Sequence, residues 1–291
     1  MRIGRAWDRF WFAPADPTSI VLLRVGLGVV YLLLHVTLLA NWERYFAADG
    51  MLSLNDPALQ VRPQEWWSLV TWTQDFVPGR AYLFVGLLTS TALIVGFHSQ
   101  LAAVVLFVVH TSVLHHNLVL ANGEDIILRM TLFFACFAPL DMAVAVRPLR
   151  PTAPRELWAL RLVQVGIAAF YLATQLHKLS MEQMWWDGDV LYYITATANW
   201  GRFPWPEFFE QAWATKSASW GSLMLELAFP FLVWIPALRR WLVLAMIGLH
   251  VTIMLTIYGA TFFNLAAIVT LFAFVTSDDL GRPSLRPDHP G

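Results

Sequence analysis

The sequence predicts an all-α, polytopic integral membrane bundle of about eight transmembrane helices with Trp-rich outer loops. Three observations carry that prediction. Of the 291 residues, 58% are hydrophobic and 13% charged, against the balance of a water-soluble domain. Mostly apolar runs of the roughly 17–25 residues needed to cross hydrocarbon recur along the chain. Arginines gather in alternate connections, the pattern expected when basic residues stay on the cytoplasmic side. The formal net charge of −1, with no basic run, excludes nucleic acid as the main partner. The single cysteine, Cys136, excludes an intramolecular disulfide and any Cys-based zinc or iron–sulfur site. Stability must then come from helix packing among membrane lipids.

Taken in order, Met1 to Ser19 lacks an apolar core with a small-residue cleavage site and does not read as a removable signal peptide. Arg2, Arg5 and Arg9 recur there at helical spacing with Trp7, Phe10 and Trp11 between them, which predicts a cytoplasmic interfacial helix within residues 1–17, ended by Pro14 and Pro17. The transmembrane domain is expected over 18–276. Its spans fall near 18–40, 80–97, 100–120, 125–146, 157–179, 219–236, 239–257 and 260–276. The last two are short and share the connector Tyr258-Gly259-Ala260, so seven spans is the fallback. Residues 277–291 form the tail. No internal repeat and no Gly- or Pro-rich linker divides the chain.

An even number of crossings puts Arg2, Arg5 and Arg9, Arg147, Arg150 and Arg155, Arg239 and Arg240, and Arg282 and Arg286 on one side. That side is expected to be cytoplasmic, with both termini on it and the chain in the cell's inner (plasma) membrane. The opposite loops, 41–79, 121–124 and 180–218, carry most of the acids, from Glu43, Asp49, Asp56, Glu65 and Asp75 through Glu124 to Glu182, Asp187, Asp189, Glu207 and Glu210. They also carry Trp42, Trp66, Trp67 and Trp72 in the first and Trp185, Trp186, Trp200, Trp205 and Trp213 in the last, with Phe203, Phe208 and Phe209. Two readings stay open: a belt of headgroup anchors, or an aromatic lid over a pocket for a flat apolar ligand such as a quinone.

A charge at mid-span costs about 2.5–3.5 kcal/mol on insertion scales, so intramembrane ionisable residues are functional candidates. Most of them fall in the outer half of their spans: His35, His110, His115 and His116, Arg129, His177 and Lys178, Glu226 and, nearer the middle, His250. Arg24 and Asp141, near the cytoplasmic face, fit a structural pairing or snorkelling role. Among 19 basic residues the only lysines are Lys178 and Lys216. A lysine in a dry pocket can lose its proton and act as a base or nucleophile, which arginine cannot. Lys178 ends its span, so snorkelling to the headgroups is the competing reading. The six-residue separation of His110 and His116 does not put three ligands on one helical face, and neither a metal nor haem held by His35, His110 or His250 is expected. Asn117 to Asp125 reads as a helix end, a turn at Asn122-Gly123 and a new helix start favoured by Glu124 and Asp125.

These residues resemble the transmembrane part of vitamin K-dependent gamma-carboxylase and its bacterial relatives, the horizontally transferred transmembrane domain (HTTM) family. The likeness spans almost the whole chain: Arg24-Val25-Gly26-Leu27-Gly28, Tyr45-Phe46 through Gly50, His116-Asn117 through Gly123-Glu124-Asp125, and above all His177-Lys178-Leu179 followed by Trp185-Trp186 and Gly188. His250 with the run to Phe263-Asn264 is a weaker match. The resemblance implies an enzyme that binds a reduced quinone of the vitamin K or menaquinol type and uses O2, with Lys178 as general base, in quinol epoxidation or linked carboxylation with CO2. His177 and His250 would orient groups or relay protons, Glu226 or Asp125 would hold the lysine or a product hydroxyl, and Arg129 would stabilise an oxyanion. His116, Asn117, Asp125, Trp185 and Trp186 would line the substrate. After Val275 the chain leaves no room for the carboxylase's large non-cytoplasmic domain, and Glu124 and Asp125 stand about where the family has a histidine. An unidentified protein partner is one way to replace that domain. The alternative function is non-enzymatic: a membrane transporter, or a scaffold binding lipid or quinone, whose buried histidines and acids serve proton coupling.

Overall fold

The computed structural model describes residues 2–12, 17–46, 67–117, 120–141, 158–181, 183–197, 200–202 and 211–281. The predicted roles of Pro14, Trp66, Arg147, Arg150, Arg155, Arg282 and Arg286, of the acids from Asp49 to Glu65, and of Glu182, Phe203, Trp205, Glu207, Phe208, Phe209 and Glu210 lie outside the described residues. So do Gly50 of the family match and the tail beyond Gly281. The described residues are all-helical, with no strand and one isolated antiparallel bridge between Gly201 and Ile257. The chain divides into two compact units, Met1–Leu160 and Arg161–Gly291.

Unit 1 begins with α1 (Arg2–Phe12), a helix exposed along most of its length, in which Arg9 Nε donates to the Arg5 carbonyl at 3.3 Å. Pro17 opens α2 (Pro17–Ala40), where a missing N–H costs no helical hydrogen bond. The short helices α3 (Trp42–Phe46) and α4 (Leu69–Thr73) follow, then α5 (Gly79–Val95), α6 (Ser99–His116) and α7 (Gly123–Ala135). The turn between α5 and α6 is tight because Gly96, at φ 74°, takes the left-handed cap and its N–H returns to the Ala92 carbonyl. Ser68 ties α4 to α6: its hydroxyl donates to the Ser112 carbonyl at 2.7 Å and accepts from the Thr71 N–H at the start of α4. Helix α2 lies close along α5 at Gly28, where a Cβ would sit 2.8 Å from Ile94 Cγ1 and 2.9 Å from the Ser90 carbonyl.

The predicted fourth span is shorter than the sequence suggests. Helix α7 has 13 residues, about 20 Å at 1.5 Å per residue, and gives way to turns that run through Pro139 to Asp141. The residue before a proline is pushed out of the helical region, which accounts for the stop. These turns bring Asp141 back to the start of α6, where the Ser99 N–H donates to both carboxylate oxygens, at 3.2 and 3.1 Å, and the Ser99 hydroxyl donates to one of them. Arg24 Nη1 approaches the same carboxylate at 3.9 Å, so the pairing expected for Arg24 and Asp141 is formed.

Unit 2 holds α8 (Trp158–Met181, its first turn on the boundary), the short α9 (Gln183–Asp187) and α10 (Val190–Ala196), and then α11 (Ala212–Leu232), α12 (Pro236–Thr256) and α13 (Thr261–Leu271), which tightens into a 3-10 turn at Phe272–Phe274. Helix α11 starts seven residues before the predicted span at 219. Helices α12 and α13 pack on each other across the turn at Gly259, whose φ of 76° is the left-handed geometry that glycine takes without strain.

Among the described residues, four helices are long and apolar enough to cross a membrane: Pro17–Ala40, Ser99–His116, Trp158–Ser180 and Pro236–Thr256. Gly79–Val95 and Thr261–Phe274 are shorter apolar helices. Large apolar side chains lie on the outside as well as in the core, and polar ones are buried among them. Leu88, 71% exposed, and Trp241, 67% exposed, face outward, while Arg24, His35, His110, Gln175, Glu226, His250 and Asn264 are buried. Apolar surface turned out and polar groups turned in is the arrangement lipid demands.

The α2–α5 approach gives a first prediction. Gly28→Leu should lower stability by about 1–3 kcal/mol through overpacking, whereas Gly221→Leu, where a Cβ meets nothing within 4 Å, should change it little. Denaturant unfolding of both variants in micelles measures the difference.

Candidate functional site

In unit 2 three polar side chains of α8, Tyr171, Gln175 and Lys178, follow one another at helical spacings of four and three, which aligns them on one face. Across from them on α11 lies Glu226. Lys178 Nζ donates to Glu226 Oε2 at 2.5 Å, and Gln175 Nε2 donates to the same oxygen at 2.7 Å. From α9, the Trp185 ring lies under the ammonium, its centroid 4.5 Å from Nζ. The Lys178 side chain keeps 24% of its surface exposed and that of Glu226 only 9%. Gln175 Oε1 is buried and has no hydrogen-bond partner among the described residues. It is an acceptor left over inside the cluster, beside a Glu226 oxygen that takes two donors.

A second chain of hydrogen bonds starts one turn deeper. Tyr171 Oη and His250 Nε2 lie 2.7 Å apart, and His250 Nδ1 lies 2.8 Å from Asn264 Oδ1. Asn264 Nδ2 donates to the Ala260 carbonyl at 2.6 Å, which leaves Oδ1 as the atom facing the ring. A carbonyl oxygen only accepts, so His250 donates from Nδ1 and accepts the Tyr171 hydroxyl at Nε2. Phe229 and Phe263 pack around this pair, with the Phe229 ring centred 5.2 Å from that of Tyr171 and the Phe263 ring 6.4 Å from His250.

The other candidates of this unit stand apart from the cluster. His177 is exposed, on a different face of α8 from Gln175 and Lys178. Trp186, also exposed, donates from Nε1 to the Leu179 carbonyl at 2.6 Å, and its own carbonyl accepts from Trp220 Nε1 at 3.2 Å. It clasps α9 to α8 and α11. The sequence reading placed Lys178 either in a dry pocket or snorkelling outward; the side chain instead bends onto a buried carboxylate and keeps a minority of its surface exposed.

Unit 1 gathers Arg129, His116, Asn117 and Asp125 around the α6–α7 turn. Asp125 Oδ2 accepts the Asn122 N–H at 2.8 Å, closing the first turn of α7, and Oδ1 accepts from His110 Nε2 at 3.2 Å. Arg129 Nη1 donates to His115 Nε2 at 3.2 Å, while His115 Nδ1 donates to the Trp67 carbonyl at 2.8 Å. His116 Nδ1 meets Thr71 Oγ1 at 3.0 Å and the ring stacks on Phe46. Asn117 Nδ2 donates to the Tyr45 carbonyl at 3.3 Å. These contacts join the loop after α2 to the end of α6. Among the described residues no group of three or more His, Cys, Asp or Glu side chains is placed to hold a metal ion.

Sequence reasoning missed Tyr171 and Gln175, and named Asn264 only within the family match. The signal was present as polar residues set three or four apart from Lys178 within an apolar run. No family model, no curated protein and no solved structure matches the chain.

The ion pair yields a second prediction. In a double-mutant cycle of Lys178→Met and Glu226→Gln, the coupling energy should be about 1–3 kcal/mol, since each single change strands the other group in a largely buried setting. Strict additivity in unfolding measurements would show that the pair adds nothing.

Proposed function

We propose that the chain is an integral membrane enzyme resembling vitamin K-dependent gamma-carboxylase, which binds a reduced quinone beside Lys178 and uses O2 in quinol epoxidation or a linked carboxylation. The observation that supports the reading best is the Lys178–Glu226 pair, part-buried beneath Trp185 and backed by Gln175. The reduced quinone and O2 would supply the oxygenation itself. The chain's own contribution would be to take a hydroxyl proton at Lys178 Nζ, to hold the resulting ammonium against Glu226, and to receive a ligand hydroxyl at the buried Gln175 Oε1. Trp185 would cover the amine and offer a flat apolar face to a ring. Arginine at 178 could not exchange a proton in this way.

The same proposal takes all eight predicted segments as crossings, with both termini cytoplasmic in the plasma membrane. Each segment coincides with a described helix, at least in part. Within unit 1, Arg24, Ser99 and Asp141 meet at one end of the helices while Tyr45, Trp67 and Asn117 meet at the other, as alternating crossings require. A Cys136→Ala background with single cysteines at Gln74 and Arg240 checks the topology. An impermeant maleimide should label the first in intact cells and the second only after the membrane is opened.

The activity test uses the full chain in nanodiscs with reduced menaquinone and O2. Epoxide should form, and Lys178→Ala should reduce the rate at least 100-fold without recovery in Lys178→Arg, while His177→Ala should retain activity. Absence of epoxide from a folded, quinone-loaded sample would remove the enzymatic reading and leave the transporter or scaffold. Proton-dependent uptake into vesicles, lost on Glu226→Gln, would then identify the transporter.

A further inference from the structure

Unit 1 carries a buried polar cluster that the proposed chemistry does not use. Tyr31 and His35 sit four residues apart on one face of α2, and His110 faces them from α6. The His110 ring centre lies 4.9 Å from that of Tyr31 and 5.3 Å from that of His35. None of the three is more than 1% exposed. Each imidazole has one nitrogen committed. His35 Nδ1 donates to the Tyr31 carbonyl at 2.7 Å, and His110 Nε2 donates to Asp125 Oδ1 at 3.2 Å. In the neutral rings those donations fix the tautomers, so His35 Nε2 and His110 Nδ1 each present a lone pair.

Both of those nitrogens, together with the Tyr31 hydroxyl, are buried and have no hydrogen-bond partner among the described residues. Two lone pairs cannot satisfy each other, and one phenol proton cannot satisfy both. Leaving three such atoms unpaired in an apolar interior is unfavourable, because none regains the hydrogen bond it would make in water. A single water closes the account: it donates to both imidazoles and accepts from Tyr31, within the two to four partners a buried water needs. Gly86 of α5 belongs to the same site, since a Cβ there would collide with His35 Nε2 and Cδ2.

We propose that Tyr31, His35 and His110 bind an internal water and that this water, with Asp125, forms a proton relay inside unit 1. A proton on His35 Nε2 passes to the water as the water passes one to His110 Nδ1. One N–H bond breaks and one forms, the water is restored, and the positive charge moves from His35 to His110, beside the Asp125 carboxylate. No redox change is involved. The ionisable groups around the relay are Tyr31 and His35 on α2, His110 on α6, and Asp125 and Arg129 on α7, with Arg129 occupied by His115; α5 supplies the Gly86 backbone.

Solid-state NMR of the full chain in nanodiscs, with 15N-labelled histidine, tests both parts. The expected wild-type spectrum shows His35 protonated at Nδ1, His110 protonated at Nε2, and through-space correlations from water protons to the two bare nitrogens. Gly86→Ala should abolish the correlations at His35. Exchange of the His110 N–H with D2O should slow at least tenfold in His35→Leu and less in Tyr31→Phe. Missing water correlations in the wild type, or a direct His35–His110 hydrogen bond, would overturn the site. So would about one metal ion per chain by native mass spectrometry, lost in His35→Leu. Water correlations with unchanged exchange in His35→Leu would overturn the relay. The wild-type spectra decide the binding site even if a variant fails to fold.

Discussion

A polar group buried away from lipid needs a hydrogen-bond partner inside the protein. An apolar surround supplies no hydrogen bonds, and an unanswered amide or hydroxyl there costs several kcal/mol. The hydroxyls that face outward on the long helices are answered locally: Thr37 donates to the Leu33 carbonyl, Thr89 to Val85, Thr91 to Leu87 and Thr252 to Gly248, all one turn back. Larger groups are answered across helices. Gln164 donates to the Ala273 carbonyl at 2.6 Å, and Asp141 collects Ser99 and Arg24. These pairings set helix registers that packing of Leu, Val and Phe alone would leave loosely defined. Interhelical hydrogen bonds and close backbone approach, rather than the hydrophobic effect, order helices that lipid already solvates.

The Lys178–Glu226 pair obeys that rule, with one difference. Two donors converge on a single carboxylate oxygen of Glu226, and the ammonium keeps an edge toward the exterior. A structural ion pair gains nothing from a lysine that arginine would not supply better, because a guanidinium satisfies both carboxylate oxygens with a rigid fork. In a chain that otherwise uses arginine for nearly all its cations, the proposed role would account for the lysine by what arginine lacks, a proton it can give up.

Much of the fold was legible because lipid imposes a long and simple code. Apolar runs of bilayer length marked where helices form, four of which among the described residues are long and apolar enough to cross a membrane, and the connector named at Gly259 is a turn. The ends were harder to read. Helix α7 stops at Ala135, well before its apolar run does, and α11 begins in the polar stretch at Ala212. The end of α7 lies shortly before a proline, whereas α11 starts after Gln211 without a side-chain cap. The site was half legible. Lys178, Glu226 and His250 stood out as intramembrane ionisable residues, but which of them meet is a three-dimensional property, and Gln175 and Tyr171 carry no charge to mark them. His177 was named with Lys178 as an ionisable residue closing its span, yet neighbours in a helix point about 100° apart. Asp125 was legible as part of a helix start, which its carboxylate does close, but its second contact, with His110, was not.

His250 shows how hydrogen-bond counting narrows a role. Adjacent to a proposed base, a buried histidine invites the part of proton carrier. Both its nitrogens are already engaged, one donating to an asparagine whose amide orientation is fixed by the Ala260 carbonyl, the other accepting from Tyr171. To carry a proton it would have to break the Tyr171 bond and become a cation against Asn264, with no carboxylate hydrogen-bonded to it. Its geometry suits a different task, which is to hold the Tyr171 hydroxyl pointed away from Glu226 so that the carboxylate is left to Lys178 and Gln175. The histidines of unit 1 differ in just this respect: His35 and His110 each keep one bare nitrogen, and His110 has a carboxylate behind it. Free lone pairs with a compensating anion, rather than burial or proximity to a base, are what separate a histidine that can move protons from one that positions its neighbour.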